Sequence, residues 1–353
     1  MTRLSAHLLS GTSGPFGRGI DVVRPAAVPE GSVVTVMRVP PENAGMRLDR
    51  FVMTQLKRTS RTRAQRIVAA GCYAPDARPL RGNDRVKAEQ LILLWRPPWD
   101  EKAPDVEVPV IFEDDHLVAV NKPPGIPVHP TARYHASTVV KLLEAARPGD
   151  HLRLSHRIDR ETSGALLLAR TAEADRRVKI AFEDRTSIDK HYLAITWGWP
   201  EDDRFRVELP LELDPTSRLK VKMRIAAAGT GLAARTGCEV LGRRVHPTTG
   251  RRYALVRCHL ETGRQHQIRL HLAALGLPLV GEKLYGPDEG LFTRGADGAL
   301  TEEDRALLEL DRHALHAERL ALDHPITGER LLLEAPMPAD LQRFWDALAA
   351  VPC

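Results

Sequence analysis

The pair Pro97-Pro98 and the polar stretch that follows it, residues 99–105, can neither continue a helix nor sit inside a sheet, so they divide the chain. Ahead of them the apolar residues recur at helical spacing. Behind them short apolar runs alternate with helical segments. The 353 residues suggest about two domains at roughly 150 residues each, which agrees with one break at this place.

Residues 1–32 are rich in Ser, Gly, Pro and Ala without a sustained period and are expected to form a flexible tail. A short strand is predicted over 33–39, ended by Pro40-Pro41. Leu48, Phe51, Val52 and Leu56 mark one face of an amphipathic helix, and Ser60 is placed to cap a second helix over 62–70 that Gly71 stops. Residues 86–88 and 91–95 read as strands. The expectation is a small α/β module at 43–96 followed by a linker at 97–106. Its charge is one-sided: between positions 44 and 66, Arg47, Arg50, Lys57, Arg58, Arg61, Arg63 and Arg66 face the single Asp49, whereas the whole chain carries only +5. A basic block on an otherwise near-neutral chain is the footprint of a polyanion partner, most often a nucleic acid.

The second part, 107–350, is predicted to alternate strands (108–112, 117–121, 164–170, 191–197, 253–260) with helices (172–184, 267–275, 341–349). Pro109 demotes the first of these strands to a sheet edge. The run 164–170 has the unbroken apolar character of a strand buried on both faces.

Several function classes drop out. No apolar run approaches the roughly 18 residues of a membrane span, and the first thirty residues lack a signal-peptide core. Cys72, Cys238, Cys258 and Cys353 have no zinc or redox spacing, and His266 and His271 are poorly spaced for one helical face. No Gly-rich phosphate loop, dinucleotide fingerprint or nucleophile elbow is present. A cytoplasmic protein without disulfides, metal or organic cofactor is expected.

What remains is a set of polar residues in apolar surroundings. Asp159, in His156-Arg157-Ile158-Asp159-Arg160, stands just before a core strand, where a carboxylate needs a cation or hydrogen bonds to stay ionised. Read alone, such an aspartate is equally a salt bridge that fixes a loop. The combination says more. His156-Arg157-Ile158-Asp159-Arg160-Glu161-Thr162-Ser163-Gly164-Ala165-Leu166-Leu167-Leu168, then Lys190-His191-Tyr192-Leu193-Ala194, then Leu260-Glu261-Thr262-Gly263-Arg264-Gln265-His266-Gln267-Ile268-Arg269-Leu270-His271, resembles the RNA pseudouridine synthases, in the large-ribosomal-subunit branch named after the synthase RluA. Asn121-Lys122-Pro123-Pro124-Gly125, His129-Pro130, Gly281-Glu282-Lys283-Leu284-Tyr285-Gly286 and His313-Ala314-Leu315-His316-Ala317 extend the resemblance over about 108–345. The basic segment is similar to the small RNA-binding module of a small-subunit ribosomal protein, although Cys72-Tyr73-Ala74-Pro75-Asp76-Ala77 replaces the valine-rich strand and Asn-Gly turn usual there.

The resemblance implies an α+β catalytic domain with a mixed, largely antiparallel sheet and a central cleft, acting on uridine in structured RNA. Ribosomal RNA of the large subunit is favoured as the partner, with transfer RNA as the other candidate, and a monomer is implied. Asp159 matches the family's catalytic aspartate, Arg269 the arginine paired with it, and Tyr192 the aromatic that stacks on the target uracil. Arg157 matches the residue that helps fill the gap left by the extruded nucleotide. Arg264 and His266 are expected to order the loop or touch phosphate, and Arg61 and Arg63 to bind RNA. Glu282 stands where the family usually has aspartate. The chemistry suits these residue types. Breaking the bond between N1 of uracil and the ribose, then rejoining at C5, needs one carboxylate, as nucleophile at the anomeric carbon or as base at the neighbouring carbon. It also needs a platform for the loose base and a surface that holds a nucleotide out of its stack.

Two other classes compete. An RNA-binding assembly factor with the same fold has no need of a desolvated carboxylate beside phosphate. A glycoside hydrolase needs a second carboxyl group at a fixed separation, for which Glu161 is the nearest candidate in sequence and no motif supports the pair.

Overall fold

The computed structural model describes residues 3–6, 20–30, 32–56, 59–97, 106–130, 134, 137–184, 188–219, 221–227 and 229–351. The chain divides into two units, residues 1–101 and 102–353. Most of the stretch expected to be a linker, and Lys57 and Arg58 of the basic block, lie outside the described residues.

In the first unit β1 (Arg3–Ala6) pairs antiparallel with β2 (Ile20–Val23). Strand β3 (Val33–Arg38), helices α1 (Leu48–Gln55) and α2 (Arg61–Gly71), and strands β4 (Cys72–Tyr73) and β5 (Leu91–Arg96) follow, with the sheet ordered β3-β5-β4. Ser60 caps α2 by accepting the Arg63 backbone N–H. Leu48, Phe51 and Val52 of α1, and Ala64 and Val68 of α2, bury against Ile92 and Leu94 of β5. Leu93 and Trp95, on the other face of the same strand, are covered by Val22 and Val28. The expected tail therefore does not hold for residues 20–30: two valines, too few to show a period, supply the outer face of the sheet. Residues 86–88 are not a strand either. Val86 is buried as a loop residue, exchanging backbone hydrogen bonds with Gly45 and Met46.

The second unit is built on one eleven-stranded sheet. Its elements run β6 (Val110–Glu113), β7 (Leu117–Lys122), α3 (Val139–Ala146), β8 (Arg153–Leu154), β9 (Ser163–Ala169), α4 (Ala172–Asp184) and β10 (Asp189–Trp197). There follow β11 (Arg204–Val207), the separate hairpin β12 (Leu211–Leu213) and β13 (Met223–Ile225), β14 (Thr236–Val245), β15 (Arg252–Leu260) and α5 (Gln267–Ala274). The chain ends with α6 (Gly290–Ala296), α7 (Glu302–Leu308), β16 (Leu315–Asp323), β17 (Arg330–Glu334), α8 (Ala339–Asp346) and β18 (Ala349–Ala350). The main path through the sheet is β11-β14-β15-β10-β16-β9-β7-β6. Strand β6, which begins just after Pro109, lies at one end of this path, where a proline without an N–H breaks no ladder.

Every pairing in this sheet is antiparallel except β9 with β16. Strand β9 is apolar throughout because both its faces are covered: Ala165 and Leu167 pack with Ala174 and Val178 of α4, and Leu166 and Leu168 with Val139 and Leu143 of α3. Strands β10 and β15 are likewise covered by Ile268 and Leu272 of α5 on one face and Leu341 and Trp345 of α8 on the other. Tyr192 packs against both the α3 core and the α5 core, where the two meet.

The parallel joint is short, His316 opposite Ser163 and Ala317 opposite Gly164. Gly164 has φ of +113°, and a Cβ there would sit 2.2 Å from the Ala317 carbonyl oxygen. Both the dihedral and the approach require glycine. Gly164→Ala is expected to destabilise the protein by about 3 kcal/mol or more, the summed cost of the left-handed backbone and the clash. Urea denaturation followed by circular dichroism measures it; a loss under about 1 kcal/mol, the usual range for a harmless substitution, means the joint can relax.

Candidate active site

The loop from His156 to Thr162 leads into β9 and is tied down at several points. Ile158 is buried in the α3 core. Thr162 Oγ1 bonds His313 Nε2 at 2.8 Å, and Ser163 Oγ bonds His316 Nδ1 at 2.9 Å. Lys122, fully buried at the end of β7, donates to the carbonyls of Pro123, Ile126 and Arg160 at 2.8, 2.9 and 2.9 Å. Burial brings its pKa down to about 7, and three carbonyls match the three protons of the ammonium form. Gly125 N–H donates to the same Arg160 carbonyl at 2.9 Å. The peptide that follows Arg160, one residue beyond Asp159, is therefore gripped from two directions.

Asp159, whose side chain is 30% exposed, accepts a hydrogen bond from Arg269 Nη1 at 2.9 Å. Arg269 reaches it from the first turn of α5 and is buried. Its other face is held by Glu282, which accepts from Nε at 2.8 Å and Nη2 at 2.6 Å. Glu282 is fully covered and also accepts the backbone N–H groups of Leu284 and Tyr285 at 2.9 and 3.3 Å. One guanidinium thus joins two carboxylates, bidentate to one and through a single N–H to the other.

Burial acts to raise the Asp159 carboxyl pKa, but Arg269 beside it, with His266 and Arg157 near, outweighs burial and holds it below the ordinary carboxylate range. Glu282 is lowered in the same way, its burial overcome by Arg269. Arg269 is raised: its own burial works against its charge, and Glu282 and then Asp159 prevail. All three groups are charged at neutral pH.

Tyr192 lies on β10, opposite Cys258 of β15 and Ala317 of β16. Burial, and after it the Asp159 charge, push its phenol above the ordinary value, so it stays protonated. His266 begins α5 in a left-handed conformation, φ +56°, with its Nε2 3.9 Å from Asp159 Oδ2 and its Nδ1 2.7 Å from the Tyr285 hydroxyl. Asp159, Arg269 and His266 are thus brought together, and Tyr192 faces the same region. Arg157 is exposed and makes no hydrogen bond or ion pair among the described residues. Arg264 is turned to the loop, its Nε donating to the Ala233 carbonyl at 3.1 Å. Arg61 and Arg63 belong to the first unit, exposed on the opening turn of α2.

Four residues of this region have no role in a reading of the sequence alone. Glu282 stands out there only as a departure from the family's usual aspartate. Lys122 carried a signal, since a lysine closing an apolar strand must find carbonyls or a carboxylate. Lys283 and Tyr285 follow Glu282 in the same segment; Lys283 Nζ holds Glu161 at 2.9 Å, so the carboxyl considered for a hydrolase is committed to an ion pair. Metal-type ligands gather at one place among the described residues, Asp189, His191 and His259, where Asp189 Oδ1 lies 2.9 Å from both His Nε2 atoms. The group spans two strands, which is why linear spacing does not reveal it. Arg319 approaches the other Asp189 oxygen at 3.5 Å, so hydrogen bonds and an ion pair already occupy that carboxylate.

The family model described as RNA pseudouridylate synthase matches residues 116–274, a span that contains Asp159, Tyr192 and Arg269. A ribosomal large subunit pseudouridine synthase D from Zymomonas mobilis subsp. mobilis is 34% identical over 325 residues, covering 87% of this chain and 95% of that protein. The protein of the same name from Nitrosomonas europaea is 33% identical, covering 90% and 88%. Among solved structures, human RNA Pseudouridylate Synthase Domain Containing 4 superposes with a TM-score of 0.51 at 27% identity, over 68% of this chain and 92% of that one. Human RNA Pseudouridylate Synthase Domain Containing 1 shares the fold, with a TM-score of 0.57 at 24% identity over 71% and 91%.

Removing the charge of Glu282 leaves the buried guanidinium with a single partly open partner. Glu282→Gln is expected to cost about 3–5 kcal/mol of stability, and Glu282→Asp, which keeps the charge, distinctly less. Chemical denaturation of the two variants side by side checks this; equal losses mean that packing volume rather than charge holds the arginine.

Proposed function

The chain belongs to the RNA pseudouridylate synthase family, and from that premise we propose that it converts uridine to pseudouridine in large-subunit ribosomal RNA with Asp159, Arg269 and Tyr192 as its working residues. The observation that carries the assignment of residues is the pairing of a part-open, ionised Asp159 with a buried Arg269. Nothing in a structural salt bridge requires one carboxylate of the triad to remain accessible while the other is sealed.

The bond from the ribose anomeric carbon to N1 of uracil breaks with its electron pair staying on the base. The Asp159 carboxylate meets the sugar, either by attacking the anomeric carbon or by taking the proton of the neighbouring carbon; both need an ionised oxygen with a free lone pair. Arg269 keeps it ionised and fixed in direction. The detached uracil turns on the Tyr192 ring, C5 bonds to the anomeric carbon, C5 loses its proton and N1 gains one, so that the product is an isomer of the substrate. Arg157, exposed and without a partner among the described residues, fits the place a flipped nucleotide vacates. The first unit supplies phosphate contacts through Arg61 and Arg63. Ribosomal RNA is the substrate proposed because the relatives from Zymomonas and Nitrosomonas are named for the large subunit. The same proposal has the chain working as a monomer in the cytoplasm.

Purified protein incubated with ribosomal RNA carrying tritium at uridine C5 is expected to release tritium to water, and Asp159→Ala to abolish release while RNA affinity stays within about tenfold, or about 1.4 kcal/mol. Release from transfer RNA alone reassigns the substrate, and release that survives Asp159→Ala removes the aspartate from the chemistry. Neutralising Arg61 and Arg63 together is expected to flatten the salt dependence of RNA binding, by about 0.9 in log–log slope for each phosphate left unneutralised on duplex-like RNA. Titrations between low and moderate salt measure that slope; an unchanged slope takes the two arginines out of the interface.

A further inference from the structure

The Tyr285 hydroxyl accepts the Met223 backbone N–H at 3.0 Å and lies 2.7 Å from His266 Nδ1. Burial raises the phenol pKa, so the hydroxyl keeps its proton, and no acceptor other than Nδ1 is within reach of it among the described residues. An unpaired buried hydroxyl is costly, so the proton points at Nδ1 and the ring's own proton sits on Nε2. Burial lowers the His266 pKa to about 4, against the pull of Asp159, and the ring is therefore neutral at physiological pH. Nε2–H has no hydrogen-bond partner among the described residues: Asp159 Oδ2 is 3.9 Å away and already accepts from Arg269. The backbone holds His266 at φ +56°, a left-handed conformation disfavoured for a non-glycine residue, which sets this N–H beside the Asp159 carboxylate.

From this geometry we infer that His266 is a catalytic residue, a fixed neutral donor whose Nε2–H binds the O2 carbonyl of uracil as the glycosidic bond breaks. A sugar carbon within about 3 Å of an Asp159 oxygen brings the base attached to it into the neighbourhood of Nε2. When the carbon–nitrogen bond cleaves, the electron pair leaves one negative charge on the base, spread over N1, O2 and O4, and O2 is the carbonyl nearest the sugar. A neutral N–H stabilises that anion without surrendering its proton, so the base remains nucleophilic at C5 for the return step. An imidazolium in the same place risks protonating the base and releasing free uracil. Burial, which keeps the ring neutral, thus serves isomerisation rather than hydrolysis.

The inference rests on the isomerase reading and is tested apart from it. Single-turnover conversion is followed by chromatography of nuclease digests, on ribosomal RNA with uridine and on the same RNA with 5-fluorouridine, whose fluorine already draws charge from the departing base. His266→Phe, which removes the donor, is expected to slow uridine conversion by about a hundredfold, as deletion of a single oxyanion donor does, and to slow consumption of 5-fluorouridine by no more than about tenfold. His266→Gln, which restores an N–H, is expected to recover most of the uridine rate. Equal losses on both leaving groups, or no loss on uridine, overturn the proposal and leave His266 as a residue that only positions Asp159. If His266→Phe does not fold, His266→Leu, which also lacks a side-chain N–H, decides by the same criterion. Wild-type protein that converts no uridine brings down the isomerase reading, and this proposal with it.

Discussion

A guanidinium taken out of water costs several kcal/mol unless it is paired and hydrogen-bonded, and the second unit is arranged so that Arg269 is both. Its two partners differ. Glu282 is sealed, accepts two of the guanidinium N–H groups and also the backbone N–H groups of Leu284 and Tyr285, which fixes the plane of the arginine. Asp159 takes a single N–H and stays part open. Two carboxylates and one guanidinium leave the triad with one net negative charge, carried toward the open side. In the proposed reaction a site of that charge favours positive character at a sugar carbon, while the inferred His266 donor favours negative character on the departing base. On the proposed reaction, the same triad that makes Arg269 tolerable in the interior also sets a charge gradient across the bond to be broken.

The sheet explains how groups so distant in sequence meet. It is an antiparallel array but for one pairing, and that exception, β9 against β16, is where the loop of Asp159 comes in from one half and strand β10 with Tyr192 lies next door in the other. Thr162–His313 and Ser163–His316 are hydrogen bonds across the joint, and Gly164 allows the strands to approach. Packing at the joint and geometry at the site are therefore one problem: a shift of β9 along β16 moves Asp159 relative to α5. The buried Lys122 works to the same end from β7, clamping the Arg160 carbonyl.

Much of the fold was legible because its apolar faces are continuous. Strand β9 announces itself in Ala165–Ala169, and helix α4 falls on the predicted residues 172–184. Strand β14 did not, because much of it is half-exposed, Glu239, Arg243 and Arg244 lie along it, and a register shift at Val240–Gly242 breaks the alternation of period two. Strand β16 was hidden by the buried His316 and the ion-paired Glu318, which look like surface residues in a sequence. Residues 20–30 were obscured for the opposite reason, since two buried valines in a Pro- and Ala-rich stretch carry no period. At the site, periodicity places Asp159 at the core's edge but says nothing of a partner 110 positions later; only the resemblance of whole motifs joins it to Arg269. Glu282 and Tyr285 lie in a segment without a regular element, so their roles become visible only in three dimensions.

The arginines sort themselves by what neutralises them. Arg269 and Arg312 are buried and answered by carboxylates of the chain, and Arg47 is answered by the buried Asp49. Arg50, Arg61, Arg63 and Arg66 are exposed and have no such partner among the described residues. Interactions inside the first group are shielded from salt by burial and set the geometry; those of the second are open to screening and await charge from elsewhere. A polyanion that replaces the counterions of the second group gains affinity without disturbing the first. If the proposed roles hold, recognition and chemistry vary independently, one with the exposed arginines of the first unit and the other with a closed set of interactions around a single buried guanidinium.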